Sequence, residues 1–242
     1  MEYSFEWKSE SLEPIVAIAC TVIGFITYWF LAESKKLRKA MEKKYGEEKT
    51  MIYWVLFQKY TGFLFLGIIP TIVVLSLFPY SLGFYGMKFT NMLQSLYWIL
   101  GLGAIVIPMN FFAARRPQTL AYYPQIRTKV WDTKLILLNG FTWIAYLFAY
   151  EFLFRGILLF LCVPTLGVWN AIAVNTAIYS CTHIPKGAAE TIGAIPFGIL
   201  ICIITLMTGT FWVGFMVHSF LALSNDYVAL YFNPETKIVR SK

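Results

Sequence analysis

Charged side chains are scarce in this sequence: of 242 residues only 14% are Asp, Glu, Lys or Arg, whereas 58% are hydrophobic. A soluble domain carries about 25% charged residues, so a surface wetted on all sides is excluded and lipid must solvate most of the chain. Cysteine is equally thin. Cys20, Cys162, Cys181 and Cys202 all fall inside apolar runs, without the clustered spacing of a disulfide framework or zinc ribbon, and read as reduced packing residues. The alternating ten-residue segments of a membrane barrel are missing, as are a fixed-period repeat and a low-complexity linker. Histidine occurs only twice, at His183 and His218, both in the last third of the chain.

What the sequence does have is uninterrupted apolar runs of roughly 20 residues. A helix rising about 1.5 Å per residue needs that length to cross a hydrocarbon core of about 30 Å. Seven such runs lie near residues 14–32, 51–78, 92–112, 135–162, 168–182, 191–207 and 211–232. The predicted fold is therefore all-α, a polytopic transmembrane helical bundle of seven to eight spans. The eighth span arises if the 135–162 run is broken; unbroken, that run is too long for one straight crossing and must tilt or begin at the interface. Glu13 and Pro14 make a helix start. The run they open lacks a cleavage site and follows a stretch, Met1 to Glu10, with three Glu and one Lys, so it reads as a retained span and not a signal peptide. In the second span Pro70 predicts a kink, and Lys59 is placed to snorkel.

The net charge of +7 belongs to loops beside these spans, with no soluble domain to present it to nucleic acid. Alternating the loops of seven spans leaves fifteen Lys and Arg on one side, against Lys8 and Lys88 on the other. The asymmetry predicts the N-terminus outside and the C-terminus in the cytoplasm. The basic stretch Lys35 to Lys49 is a topology determinant in this reading, with attraction to anionic lipid as the sharper alternative. One membrane domain is expected, divided into an N-terminal transmembrane region (1–132), a helical core (133–232) and a cytoplasmic tail (233–242).

Polar groups inside spans are costly and often mark a site, and eight of the thirteen acidic residues are spent in the first 48 positions. The second half is therefore where chemistry is sought. Glu151 and Arg155 stand four apart on one helix face and can pair. Asn175, Tyr179 and His183 form a stripe at spacing four. His218, Ala222, Asn225 and Asp226 fall on nearly one face of the last span. A carboxylate, two imidazoles and an amide from three helices can converge on a water, one group acting as base and the others stabilising an oxyanion. No cofactor is required. Zinc is the alternative, opposed by the lack of an H-E-x-x-H pair and by the Arg155 partner of Glu151. Cys181 lies two residues from His183 and points away from it, which argues against a thiol nucleophile.

In this order the residues resemble the CPBP family, the CAAX-protease and bacteriocin-processing (Abi) group of intramembrane proteases, also called type II CAAX prenyl endopeptidases. The family shows E-E-x-x-x-R, F-x-x-x-H and H-x-x-x-N on successive helices. Here Glu151 and Arg155, Tyr179 and His183, and then His218 keep the order between about residues 148 and 226. The resemblance implies an intramembrane peptidase in which a Glu and a His activate water to cut a membrane-associated peptide or protein, with the later His and Asn on the oxyanion. Carried onto this chain, Glu151 and His183 take the base role, and His218, helped by Asn225, holds the oxyanion. Tyr150 stands where the family has its first Glu, Tyr179 replaces Phe, and Ala222 stands at the Asn position, with Asn225 about 4.5 Å farther along the axis. The alternative functions are a catalytically inactive relative that binds a peptide or partner, and a small transporter.

Overall fold

The computed structural model describes residues 5–239; residues 1–4, and Arg240 and Lys242 of the expected basic tail, lie outside the described residues. The helices are α1 (Leu12–Ala32), α2 (Lys35–Tyr45), α3 (Glu47–Phe63), α4 (Ile69–Leu77), α5 (Met92–Ala113) and α6 (Pro117–Tyr122), followed by α7 (Thr133–Glu151), α8 (Leu159–Leu166), α9 (Val168–Cys181), α10 (Ala188–Thr208) and α11 (Trp212–Phe232). The one strand pairing among the described residues is parallel and two residues long, β1 (Val130–Trp131) on β2 (Lys237–Ile238). The bundle is all-α apart from this clip.

Two of the long rods change winding inside the membrane. α3 passes into α4 through a π-helical turn, Leu64–Ile68, directly before Pro70. Proline has no N–H to return to the preceding turn, and the helix widens in the turn that comes before it. The same turn meets α1 across a seam of small residues, Ala17, Thr21 and Gly24. A Cβ on Gly24 would stand 2.5 Å from the Phe65 carbonyl oxygen, so glycine sets how closely these helices approach. α7 passes into α8 through a second π-helical turn, Phe152–Leu158, giving one unbroken 34-residue rod, Thr133–Leu166. At about 51 Å it outreaches a 30 Å core, so part of it extends past the hydrocarbon. Every residue from Ala149 to Leu159 is buried, which makes this rod the axis of the molecule.

Among the described residues, six helices are long and apolar enough to cross a membrane. The expected span near 168–182 is α9, only 14 residues long, which rises about 21 Å. The loops nevertheless gather at two ends. At one end Tyr80 bonds Glu13, Thr165 bonds the Glu10 carbonyl, and Thr90 and Asn91 bond the Thr208 carbonyl. At the other end Gln58 bonds the Ala32 carbonyl, the Gln125 amide bonds Asp226, and β1 pairs with β2.

Lys59 does not snorkel. It is 4% exposed, with Nζ 3.0 Å from Asn139 Oδ1 and 4.0 Å from the centre of the Trp143 ring. Asn139 in turn donates to Asp226 Oδ2 at 2.6 Å, and the Asp226 Oδ1 receives the Gln125 amide at 3.1 Å. A lysine this deep finds its counter-charge inside the protein, so no reach to the interface is needed.

Candidate active site

Glu151 is the last residue of α7, directly ahead of the π-helical turn, and it is fully buried. Its Oε1 accepts from His218 Nδ1 at 2.6 Å, and its Oε2 lies 3.4 Å from Arg155 Nε. The expected Glu151–Arg155 pair is present, and the guanidinium also lies over the face of Tyr179 at 4.1 Å. A carboxylate removed from water needs matching charge and a donor: Arg155 supplies the charge and His218 the donor, while Glu151 Oε2 and the guanidinium nitrogens have no hydrogen-bond partner among the described residues. Room for it comes from Gly214 on α11, where a Cβ would stand 3.0 Å from Glu151 Oε2 and 2.7 Å from Ile201 Cγ2.

The Phe154 carbonyl accepts the Leu159 N–H within the π-helical turn and, on its other lone pair, Asn175 Nδ2 at 2.6 Å. This bond docks α9 on the axial rod. The stripe Asn175, Tyr179, His183 therefore faces inward, as the spacing predicts. His183 follows the end of α9 in the loop to α10, and its Nδ1 lies 2.9 Å from the Tyr179 carbonyl oxygen. A carbonyl can only accept, so Nδ1 carries the proton and Nε2 is left with its lone pair. Burial, with the charge of Lys186 behind it, pushes the pKa of His183 down to about 3, so the ring is neutral at physiological pH.

Tyr150 completes the group. Its hydroxyl lies 2.6 Å from Thr182 Oγ1, which donates to the Tyr179 carbonyl at 2.7 Å, so Tyr150 is the donor of the pair. The ring centroids of His183 and His218 are 6.4 Å apart, and Tyr150 stands 5.7 Å from His218 and 6.4 Å from His183. Tyr150, Thr182, His183 and His218 line one cavity of about 70 Å³, walled further by Phe25, Tyr28, Tyr146 and Ala222. A second cavity of about 190 Å³ shares the Tyr28, Trp143, Tyr146 and Lys186 walls and reaches Lys59 and Gln125.

Of the residues singled out in the sequence, the structure brings Tyr150, Glu151, Arg155, Tyr179, His183 and His218 together. Glu151 bonds His218, not His183, and sits behind that imidazole without lining the cavity. Asn225 is half-buried and does not line the cavity, while Ala222 does. Asp226 belongs to the separate Lys59–Asn139 network. Sequence reasoning missed Thr182, which links Tyr150 to His183, and Gly214; neither carries a motif signal. Among the described residues no group of three or more His, Cys, Asp or Glu is placed to hold a metal ion.

A multi-pass helical bundle with two imidazoles and a tyrosine around one cavity, and a buried carboxylate behind one of the imidazoles, defines an integral membrane protein with a polar centre inside it. Residues 132–224 match the family described as type II CAAX prenyl endopeptidase Rce1-like, and the matched segment is the one that carries the three motifs. Neither the curated proteins nor the solved structures contain a match to the chain.

Proposed function

We propose that the protein is an intramembrane peptidase that hydrolyses a peptide bond of a membrane-associated substrate at the cavity between His183, His218 and Tyr150. The observation that carries this reading is the 2.6 Å hydrogen bond from His218 Nδ1 to Glu151. A carboxylate on one imidazole nitrogen fixes the tautomer and leaves the lone pair on the other, the logic by which an imidazole becomes a general base. His218 Nε2 takes a proton from water as the water attacks the carbonyl carbon, and returns it to the leaving amine. His183 accepts the water's other hydrogen at Nε2, and the Tyr150 hydroxyl turns from Thr182 to donate to the oxyanion. Arg155 holds Glu151 in place through their ion pair. Compared with the roles the family resemblance implies, the base moves from the pair Glu151 and His183 to the pair Glu151 and His218.

The test uses purified protein in lipid nanodiscs and a library of membrane-anchored fluorogenic peptides. Glu151→Gln and His218→Gln are each expected to lower kcat by about 10²–10⁴-fold, the size of a lost general base. Turnover unchanged in both variants sinks the mechanism. A second reading, a non-catalytic relative that binds a peptide, is favoured by Tyr150 standing at the family's first Glu and by Glu151 lying outside the cavity lining. Peptide binding that needs Tyr150, without hydrolysis by the wild type, is its signature.

The same reading places α9 as a seventh crossing, with the N-terminus outside and the C-terminus in the cytoplasm. Its support is the gathering of the basic loops at the end where β1 meets β2.

A further inference from the structure

The basic stretch Lys35 to Lys49 folds into α2 and the start of α3, and one hydrogen bond fixes the depth at which it stands. Gln58 on α3 donates to the Ala32 carbonyl at 2.8 Å, which sets the end of α1 level with Gln58. α3 begins eleven residues before Gln58, at Glu47, about 16 Å farther out along its axis. Its exposed residues before Gln58 are Glu47, Glu48, Lys49 and Tyr53, whereas beyond Tyr60 they include Ile68, Ile69, Ile72 and Leu75. The polar portion therefore stands outside the hydrocarbon. α2 has 11 residues, about the same length, to cover the distance between Ala32 and the turn at Gly46, so it runs back along α3 and packs on it. Leu37, Met41 and Tyr45, at spacing four, share one edge of α2, and Tyr45 meets Tyr53 edge-on at 5.2 Å, which turns that edge toward α3.

Lys35, Lys36, Lys39 and Lys43 lie on the opposite face, within about 100° of one another around the helix. All four are exposed, and none forms an ion pair among the described residues; the one carboxylate on α2, Glu42, is taken by Arg38 at 3.3 Å. We propose that this face binds an extended acidic segment of a membrane-associated protein. Lys35, Lys39 and Lys43 follow one another about every 6 Å along the axis. In an extended chain, side chains on one side recur about every 6.6 Å, so carboxylates at alternate positions meet successive lysines. An anionic bilayer matches the ladder less well. The headgroup layer adds only about 5–7 Å to the hydrocarbon on each side, whereas the ladder climbs about 12 Å away from it, which carries Lys43 past the headgroups. The foot of the ladder stands beside the polar cavity: Trp29, Glu33 and Gln58 line the space of about 190 Å³ whose walls continue to His183 and His218. The binding does not depend on hydrolysis; that the held segment belongs to a substrate, with its chain leading into the cavity, rests on the peptidase reading.

The experiment is fluorescence anisotropy of a rhodamine-labelled peptide of alternating Glu and Ser, titrated with the full chain in phosphatidylcholine nanodiscs, which carry no net lipid charge. The wild type is expected to bind, less tightly as salt is raised. The Lys35→Gln/Lys39→Gln/Lys43→Gln variant is expected to bind about tenfold more weakly, the size of three exposed ion pairs. An Arg116→Gln/Lys129→Gln variant, at exposed positions on the same end of the bundle, keeps the wild-type affinity. The three lysines are exposed, so the thermal midpoint of the triple variant stays that of the wild type and lost binding reports the face, not the fold. Hydrolysis is not read, so this result is separate from the fate of the peptidase reading. A wild type that does not bind, a triple variant that binds equally, or an equal loss in the Arg116→Gln/Lys129→Gln variant overturns the proposal. Phosphatidylglycerol retained by the wild type and lost by the triple variant, with no peptide bound, overturns it in favour of lipid.

Discussion

A carboxylate buried beyond the reach of water survives only with matched charge, and Glu151 has two partners on opposite sides, Arg155 and His218. That arrangement makes Gly214 a positioning residue. Gly214→Ala puts a methyl 2.7 Å from Ile201 and 3.0 Å from Glu151, and overpacking of this kind costs about 1–3 kcal/mol. The expected outcome is a lowered thermal midpoint in detergent together with reduced turnover; a variant equal to the wild type in both would mean α11 yields freely. His183 makes a separate pH prediction. Its folded pKa, about 3, lies below the ordinary imidazole value of about 6.5. Between those values the unfolded chain binds the proton and the folded chain does not, so its contribution is whole above about 6.5 and is lost as pH falls toward 3. His183→Gln is therefore expected to flatten the acid side of the thermal-midpoint profile, measured over that window, and an unchanged slope refutes it.

Helices are tied to one another in this bundle by a few buried polar links. Lys59 on α3, Asn139 on α7 and Asp226 on α11 form one chain that ends on the Gln125 amide in the loop before β1. Asn139 is the middle link, accepting from one charged group and donating to the other. Asn139→Leu leaves both charges stranded, at about 1–3 kcal/mol for each unsatisfied group. The expected result is a large fall in thermal midpoint. Adding Lys59→Met and Asp226→Leu to the same chain restores part of it, because an apolar set replaces a broken polar one. A triple variant no better than the single one contradicts this account. The element boundaries also show what spacing alone can and cannot say. The stripe Asn175, Tyr179, His183 was legible because α9 is regular. The second partner of Glu151, His218, was not, because it depends on how α11 lies against the π-helical turn of the axial rod.

For the whole molecule, the distribution of charge and the two sets of loop contacts agree, and they yield a labelling prediction. In a cysteine-free background, a single cysteine at position 88 should react with a membrane-impermeant maleimide in intact cells, and one at position 44 only after permeabilisation. Reaction of both without permeabilisation rejects the orientation. α9 is the element on which the span count turns: at 14 residues it rises about 21 Å, short of a hydrocarbon core of about 30 Å. That places His183 off the end of a short helix, where a loop can hold it against Tyr150 and Thr182.

Class, membrane residence and the set Glu151, Arg155, His183 and His218 were determined by the sequence alone. Long apolar runs admit few solvents, and a charged or imidazole side chain inside such a run must find a partner within the protein. The pairing of Glu151 with His218, the exclusion of Asn225 from the cavity, the burial of Lys59 and the room made by Gly214 were decided by tertiary structure. Each depends on the rotation and depth of one helix against another, and helix periodicity fixes the face a residue occupies on its own helix without fixing which neighbour meets that face.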